Sequence, residues 1–189
     1  MNVAEAIHER RAKRTIDERP VEPEKVAALV EAMRLSPSCN NNQPWRVNVC
    51  RDPGWLDKAR LALTKGNVWA TRAPVIFVVS AKLEEDCHSS DRRDYFLFGC
   101  GLAVGEMMLQ ATDLGLIAHP IAGFDPLKLK LELGIPDDHV VITMVIIGYL
   151  GADQSLLSES QKAREVARPE RKPVSDNFFE GGWGIPLQT

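Results

Sequence analysis

The stretch from Tyr95 to Ala111 restricts the fold more than any other. It is apolar except at Gly99, Gly101, Gly105, Glu106 and Gln110, and Asp94 and Asp113 close it off. It falls short of the ~20 apolar residues that span a bilayer. A helix of this composition belongs at the centre of a domain or of a dimer, buried nearly all round. Its predicted extent is about Arg93 to Leu114, with Gly115 as C-cap.

The elements around it follow from periodicity. Pro74–Val79 is a short continuous apolar run, and Val140–Tyr149 carries seven β-branched residues, so both read as buried strands. Trp45–Cys50 alternates apolar and polar, and Leu116–Ile121 makes a further strand. Helices are expected at Val3–Arg11, from Pro23 through Val26, Leu29, Val30 and Met33, at Pro53–Thr64 and at Pro126–Leu133. Helices on both sides of a mixed four-stranded sheet define a three-layer α+β domain.

At 189 residues the chain is most economically one domain. Residues 1–153 form its body. From 154 to 189 the composition shifts, first to charged residues and then to the aromatic, Gly-rich Asn177–Trp183 segment, so this part reads as an arm of the same domain. A pI near 5.8 argues against non-specific nucleic-acid binding. Met1–Ile7 starts an amphipathic helix and lacks the apolar core of a signal peptide, so a cytoplasmic location is expected. Cys39, Cys50, Cys87 and Cys100 show no C-x-x-C spacing and no paired His, so reduced structural thiols are expected and no metal site. Glu84-Glu85-Asp86 and Asp91–Asp94 read as a solvated acidic loop. The fingerprints G-x-G-x-x-G, Walker A and G-x-S-x-G are absent, which removes the usual signs of a Rossmann, P-loop or serine-hydrolase site.

Three polar segments remain. Ser36-Pro37-Ser38-Cys39-Asn40-Asn41-Asn42-Gln43-Pro44-Trp45 is a stiffened array of small polar residues, suited to hydrogen-bonding a polar ring or phosphate, though helix-to-strand turns use the same residues. Arg10-Arg11-Ala12-Lys13-Arg14 places four cations within five residues of a chain whose net charge is −3. One or two would compensate a helix C-terminus, whereas four suit a phosphate monoester. Ala118–Asp125 turns from a strand end into a helix, with Gly123 allowing close backbone approach.

Taken together, the Arg-rich segment, the Ser-Pro-Ser-x-x-Asn-x-Gln-Pro-Trp loop and Pro120-Ile121-Ala122-Gly123-Phe124 resemble the nitroreductase family of FMN-dependent oxidoreductases, over about Ile7 to Pro173. The resemblance implies a mostly antiparallel central sheet, a homodimer with FMN at the subunit interface and a C-terminal arm that wraps the partner. It implies phosphate contacts from Arg10, Arg11, Ala12 and Arg14, with Arg171 fitting a further basic position better than Arg168. Pro37, Ser38, Cys39 and Asn41 would face the isoalloxazine from the partner subunit. Pro120, Ile121, Ala122 and Gly123 would run along its edge, with the backbone of Ala122 and Gly123 near N5. Asn67 would reach the ring or ribityl chain, unless it is a plain Gly-Asn turn. Two departures stand out: Ala12 replaces a frequent Ser, and Ala122 replaces a frequent Glu. No protein residue is then catalytic in itself, because the flavin carries the chemistry. The implied reaction passes hydride from NAD(P)H through FMN to a nitroaromatic, quinone or conjugated carbonyl, by a ping-pong scheme. Dehalogenation, azoline oxidation, flavin-consuming chemistry and flavin binding without turnover are the alternatives.

Overall fold

Strand β5 (His139–Leu150) organises the fold, because three other strands pair with it. In the computed structural model, which describes residues 1–88, 91 and 93–188, β1 (Ile16–Asp17), β3 (Val75–Lys82) and β4 (Ile117–Ile121) all lie against β5. Strand β2 (Trp45–Cys50) extends the sheet beyond β3. Every pairing is antiparallel. The sheet therefore has five strands, one more than expected, and no parallel pair, in keeping with the mostly antiparallel sheet that the resemblance implies. A two-residue strand such as β1 is too short to show periodicity. Opposite Val79 and Ser80 the register slips past Ile142, a bulge of the kind that locally bends a strand.

Side chains of β3 alternate between two cores, as the pleat requires. Ile76 and Val78 join Leu56, Ala59, Trp69, Leu129 and Leu133, which come from α3 (Pro53–Arg60), a 3-10 segment (Lys65–Arg72) and α5 (Pro126–Leu133). Val75, Phe77 and Val79 join Leu29 and Met33 of α2 (Pro23–Arg34) and Phe96, Cys100, Ala103 and Met107 of α4 (Tyr95–Asp113). This is the three-layer α+β architecture.

Helix α4 ends at Gly115, whose φ of +72° suits a residue without Cβ. One side of α4 is buried, but Leu97 and Phe98 are exposed within the single chain. Helix α1 (Val3–Glu9) stops two residues short of the expected Arg11. Arg10 leaves the helix at ψ 120°, and Arg168 donates to the carbonyls of His8 and Arg10. Helix α3 likewise ends at Arg60 and continues as turns. The tail holds α6 (Glu159–Val166) and α7 (Val174–Asn177). Asp86, read as solvated, is buried, whereas Glu84 and Glu85 are exposed. Arg92, within the other acidic run, lies outside the described residues.

Candidate functional site

Two distant pieces of chain build a basic cleft of about 240 Å³. Arg10, Arg11, Ala12 and Arg14 come from the segment after α1, and Arg164, Arg168 and Arg171 from α6 and the chain beyond it. Clustered cations repel, so something must hold them. The buried Glu165 accepts from Arg14 N–H (3.0 Å), Thr15 N–H (3.3 Å) and Thr15 Oγ1 (2.9 Å), and lies 4.0 Å from the Arg14 guanidinium. Two arginines act as clasps. Arg11 donates to the carbonyls of Arg164 (3.0 Å) and Ala167 (2.7 Å), and Arg168 donates back to that of Arg10 (2.8 Å).

Among the described residues, the Arg10 and Arg171 side chains have no hydrogen-bonding or ionic partner. Burial, then the positive charges of Arg168 and Arg171, hold Arg10 below the usual guanidinium range. Burial also lowers Arg14; Glu165 opposes that and Arg164 adds to it. A dianionic phosphomonoester offsets such repulsion and matches guanidinium geometry, so the residues fit a phosphate-bearing ligand. A second, mostly apolar cleft of about 580 Å³ continues from Arg10, Arg168 and Arg171 to Ile7, Gly101, Leu102, Gly105 and Leu109.

The turn after β4 is fixed from the side. The Gly123 carbonyl accepts from Asn67 Nδ2 (2.9 Å), Thr64 Oγ1 (2.9 Å) and Thr64 N–H (3.3 Å). A Cβ on Gly123 would lie 2.5 Å from Asn67 Nδ2 and 2.9 Å from Thr64 Oγ1, so a side chain there would displace the two groups that hold the turn. Asn67 Oδ1 accepts from Trp69 Nε1 at 3.2 Å, leaving both ends of that amide engaged in positioning the turn. Ala122 is exposed at its tip, Pro120 is half-buried and Ile121 is buried.

His119 on β4 ties this turn to the arginine segment. Its Nδ1–H donates to the Lys13 carbonyl at 3.0 Å, and its ring lies 4.8 Å from that of Trp69. Burial pushes its pKa down to about 4, so it is neutral at pH 7. The unfolded chain protonates near 6.5 and the folded one only near 4. Its contribution to stability is therefore fully present above 6.5 and is lost as the pH falls through 4, on the order of 3 kcal/mol. Urea melts between pH 7 and 4 should show that loss, and His119→Gln should flatten it. An unchanged slope in the variant would place the acid sensitivity elsewhere.

The polar loop lies elsewhere in the same chain. Asn40, Asn41 and Gln43 take φ of 49°, 59° and 50°, left-handed conformations that cost non-glycine residues ~1–3 kcal/mol each. Gln43 N–H donates to Ser38 Oγ at 2.9 Å, Asn42 Nδ2 to Asp86 Oδ1 at 3.2 Å, and Pro44 rests near Gly99 of α4. Pro37 and Asn41 are exposed, and Ser38 is half-buried. Cys39 is joined to Cys87 by a disulfide, which corrects the expectation of reduced thiols for these two. They stand 48 residues apart, so no spacing motif announces the pair. Cys50 and Cys100 are free and buried, with thiols pushed up to about 11 and about 12 by desolvation. Among the described residues, none of the 36–45 loop lines either cleft.

Sequence reasoning missed Arg164 and Glu165. The signal available was a stretch rich in cations, Lys162, Arg164, Arg168 and Arg171, with Glu165 set directly beside Arg164.

The protein is thus a three-layer α+β domain with an arginine-lined cleft suited to a phosphate-bearing ligand. The Nitroreductase family profile matches residues 7–66 and 55–149. A relative from Archaeoglobus fulgidus, provisionally named an NADH dehydrogenase/NAD(P)H nitroreductase, is 30% identical over 149 residues, 76% of this chain and 82% of that one. A solved structure described as an oxidoreductase containing FMN is 29% identical, with a TM-score of 0.83 over 95% of this chain and 92% of the other. A nitroreductase family protein from Clostridium difficile shares the fold at 24% identity, with a TM-score of 0.79 over 96% of this chain and 99% of that one. The chain belongs to the nitroreductase family and is an oxidoreductase.

Proposed function

We propose that the protein is a homodimeric, FMN-dependent NAD(P)H oxidoreductase acting on small acceptors such as nitroaromatics, quinones or conjugated carbonyls. One observation carries the reading: arginines from two distant pieces of chain are held together as one cleft by Glu165 and by the Arg11 and Arg168 clasps. FMN, when bound, would supply the two-electron chemistry between the nicotinamide donor and the acceptor.

The chain's own part is binding and positioning. Arg10, Arg14 and Arg171 would hold the phosphate, and Arg11 and Arg168 keep the two halves of the cleft together. Asn67 and Thr64 fix the Gly123 carbonyl, which sets where the Ala122–Gly123 backbone presents itself. The Pro37–Asn41 loop shares no cleft with the arginines of its own chain, which supports its meeting a flavin held by the partner. The FMN-containing structural relative supports the cofactor, and the Archaeoglobus relative's name supports the donor. Among the described residues no helix is long and apolar enough to cross a membrane. A cytoplasmic location belongs to the same reading.

The protein should bind one FMN per subunit and bind FAD far more weakly, since it carries no dinucleotide fingerprint. NADH should bleach the yellow protein and menadione restore its colour. FMN bound without bleaching would leave a binding module, and reconstitution by FAD but not FMN would sink the proposal. Arg10→Ala or Arg14→Ala should weaken FMN binding by about 1.5–3 kcal/mol for each charge-assisted hydrogen bond lost. Titration of apoprotein with FMN checks this, and unchanged affinity in both variants would remove the cleft from flavin binding.

A further inference from the structure

The disulfide between Cys39 and Cys87 sits in the loop that, on the reading above, covers the flavin. In a cytoplasmic oxidoreductase such a bond is more often a redox device than a permanent staple. We propose that Cys39–Cys87 is a reversible thiol–disulfide switch that sets the conformation of the 36–45 loop and, resting on that reading, the affinity of the flavin site.

Three observations converge on it. First, the loop backbone between Ser38 and Pro44 is costly in itself, with Asn40, Asn41 and Gln43 all left-handed. Such a conformation persists only where its surroundings over-determine it. Second, its ties to the rest of the chain at residues 86–87 are few and weak apart from the covalent one. They are the Asn42 Nδ2 bond to Asp86 Oδ1 at 3.2 Å and the Asn40 and Asn42 amides at 3.5 and 3.7 Å from Cys87 Sγ. Third, Asp86, next to Cys87 in the chain, is buried, with Oδ2 lacking a partner among the described residues. A buried carboxylate with an unmet oxygen favours any rearrangement that returns it to water. Releasing the bond therefore frees a strained loop and a poorly satisfied carboxylate together.

Cys39 and Cys87 are each half-buried within the single chain, so a small thiol reaches the pair when the partner and its flavin do not cover the loop. A thiolate RS⁻ attacks one sulfur, giving a mixed disulfide and one free protein thiolate. A second RS⁻ displaces the remaining protein sulfur as thiolate. The net change is two electrons and two protons to the protein, with two RSH converted to RSSR, and oxidised RSSR reverses it.

The test uses full-length protein equilibrated in glutathione buffers from oxidising to reducing. Differential alkylation with mass spectrometry reads the state of Cys39 and Cys87, amide exchange reads residues 38–43, and FMN titration reads the site. Both thiols should titrate reversibly, and exchange in the loop should rise on reduction. If the reduced loop holds the binding form about one time in ten, FMN should bind about tenfold more weakly. Cys87→Ser should show the reduced form's exchange and affinity at every poise. A pair that stays oxidised or reduced throughout, or loop exchange and FMN affinity that ignore the thiol state, overturns the switch. Loop exchange that follows the thiols while FMN binds at no poise keeps the switch in the loop and sinks the flavin reading instead.

Discussion

Glu165→Ala should be among the most damaging single substitutions in this chain, although Glu165 lies in a charged tail that looks dispensable. The side chain is 6% exposed and faces Thr15, which is 3% exposed. Its loss leaves the Arg14 and Thr15 N–H groups and the Thr15 hydroxyl without their acceptor, and each unmet buried donor costs ~1–3 kcal/mol. It also removes the buried carboxylate that faces Arg14. Breaking a fully buried charge pair costs about 3–5 kcal/mol, and this one, 4.0 Å long with the Arg14 side chain 19% exposed, adds less. A domain's total stability is roughly 5–15 kcal/mol, so the variant stands near unfolding. Urea melts should show a fall in midpoint with little change in slope. Glu165→Gln keeps the shape and one acceptor oxygen, and should lose less. The flavin readout separates scaffold from site. If Glu165 positions the arginines, affinity for FMN falls further than affinity for riboflavin, which has no phosphate. A Glu165→Ala protein as stable as the parent, with FMN affinity intact, would refute this.

The same contact explains what the sequence could and could not reveal. The long strands and α4 were legible because burial writes itself into composition: β-branched runs for β3 and β5, and apolar residues closed by Gly115 for α4. Strand β1 was not, since two residues paired to Tyr149 and Leu150 carry no pattern. The arginine segment was visible as charge density, but its partner was not. Glu165 stands 150 residues from Thr15, and nothing local distinguishes it from a solvated glutamate. The Cys39–Cys87 link was hidden for the same reason, and with it the burial of Asp86. Asn67 was read as a ligand contact or a turn. Its bonds to Gly123 and Trp69 show that it holds the turn, a pairing across 56 residues that local residue types could not reveal.

A chain ending at Pro173 should lose dimer stability and flavin affinity together. That end point matters, because residues 154–173 serve their own chain: Arg72 donates to Ser155 Oγ at 3.0 Å, Gln161 to the Gly66 carbonyl at 2.8 Å, and Glu165 and Arg168 hold the arginine cleft. Removing them would damage the site directly. Beyond Pro173 the arm mostly closes on itself. Leu187 N–H donates to the Phe178 carbonyl, Glu180 N–H to that of Ile185, and the Phe179 and Trp183 rings lie 4.9 Å apart. Even so, Phe178 and Ile185 are each 57% exposed and Trp183 is 93% exposed. Aromatic side chains bury ~150–250 Å² each when packed, so leaving these in water forfeits a large apolar gain. Leu97 and Phe98 add an exposed apolar stretch on α4. In the proposed dimer, a second copy would cover both surfaces and bring its Pro37–Asn41 loop to the first copy's cleft. A ligand held by both chains then stabilises the assembly by mass action. Sedimentation and FMN titration of the shortened chain should therefore change in step, while Glu165 and the arginines remain in place. A well-folded monomer with full FMN affinity would mean that one chain holds the flavin alone and that the arm serves some other contact.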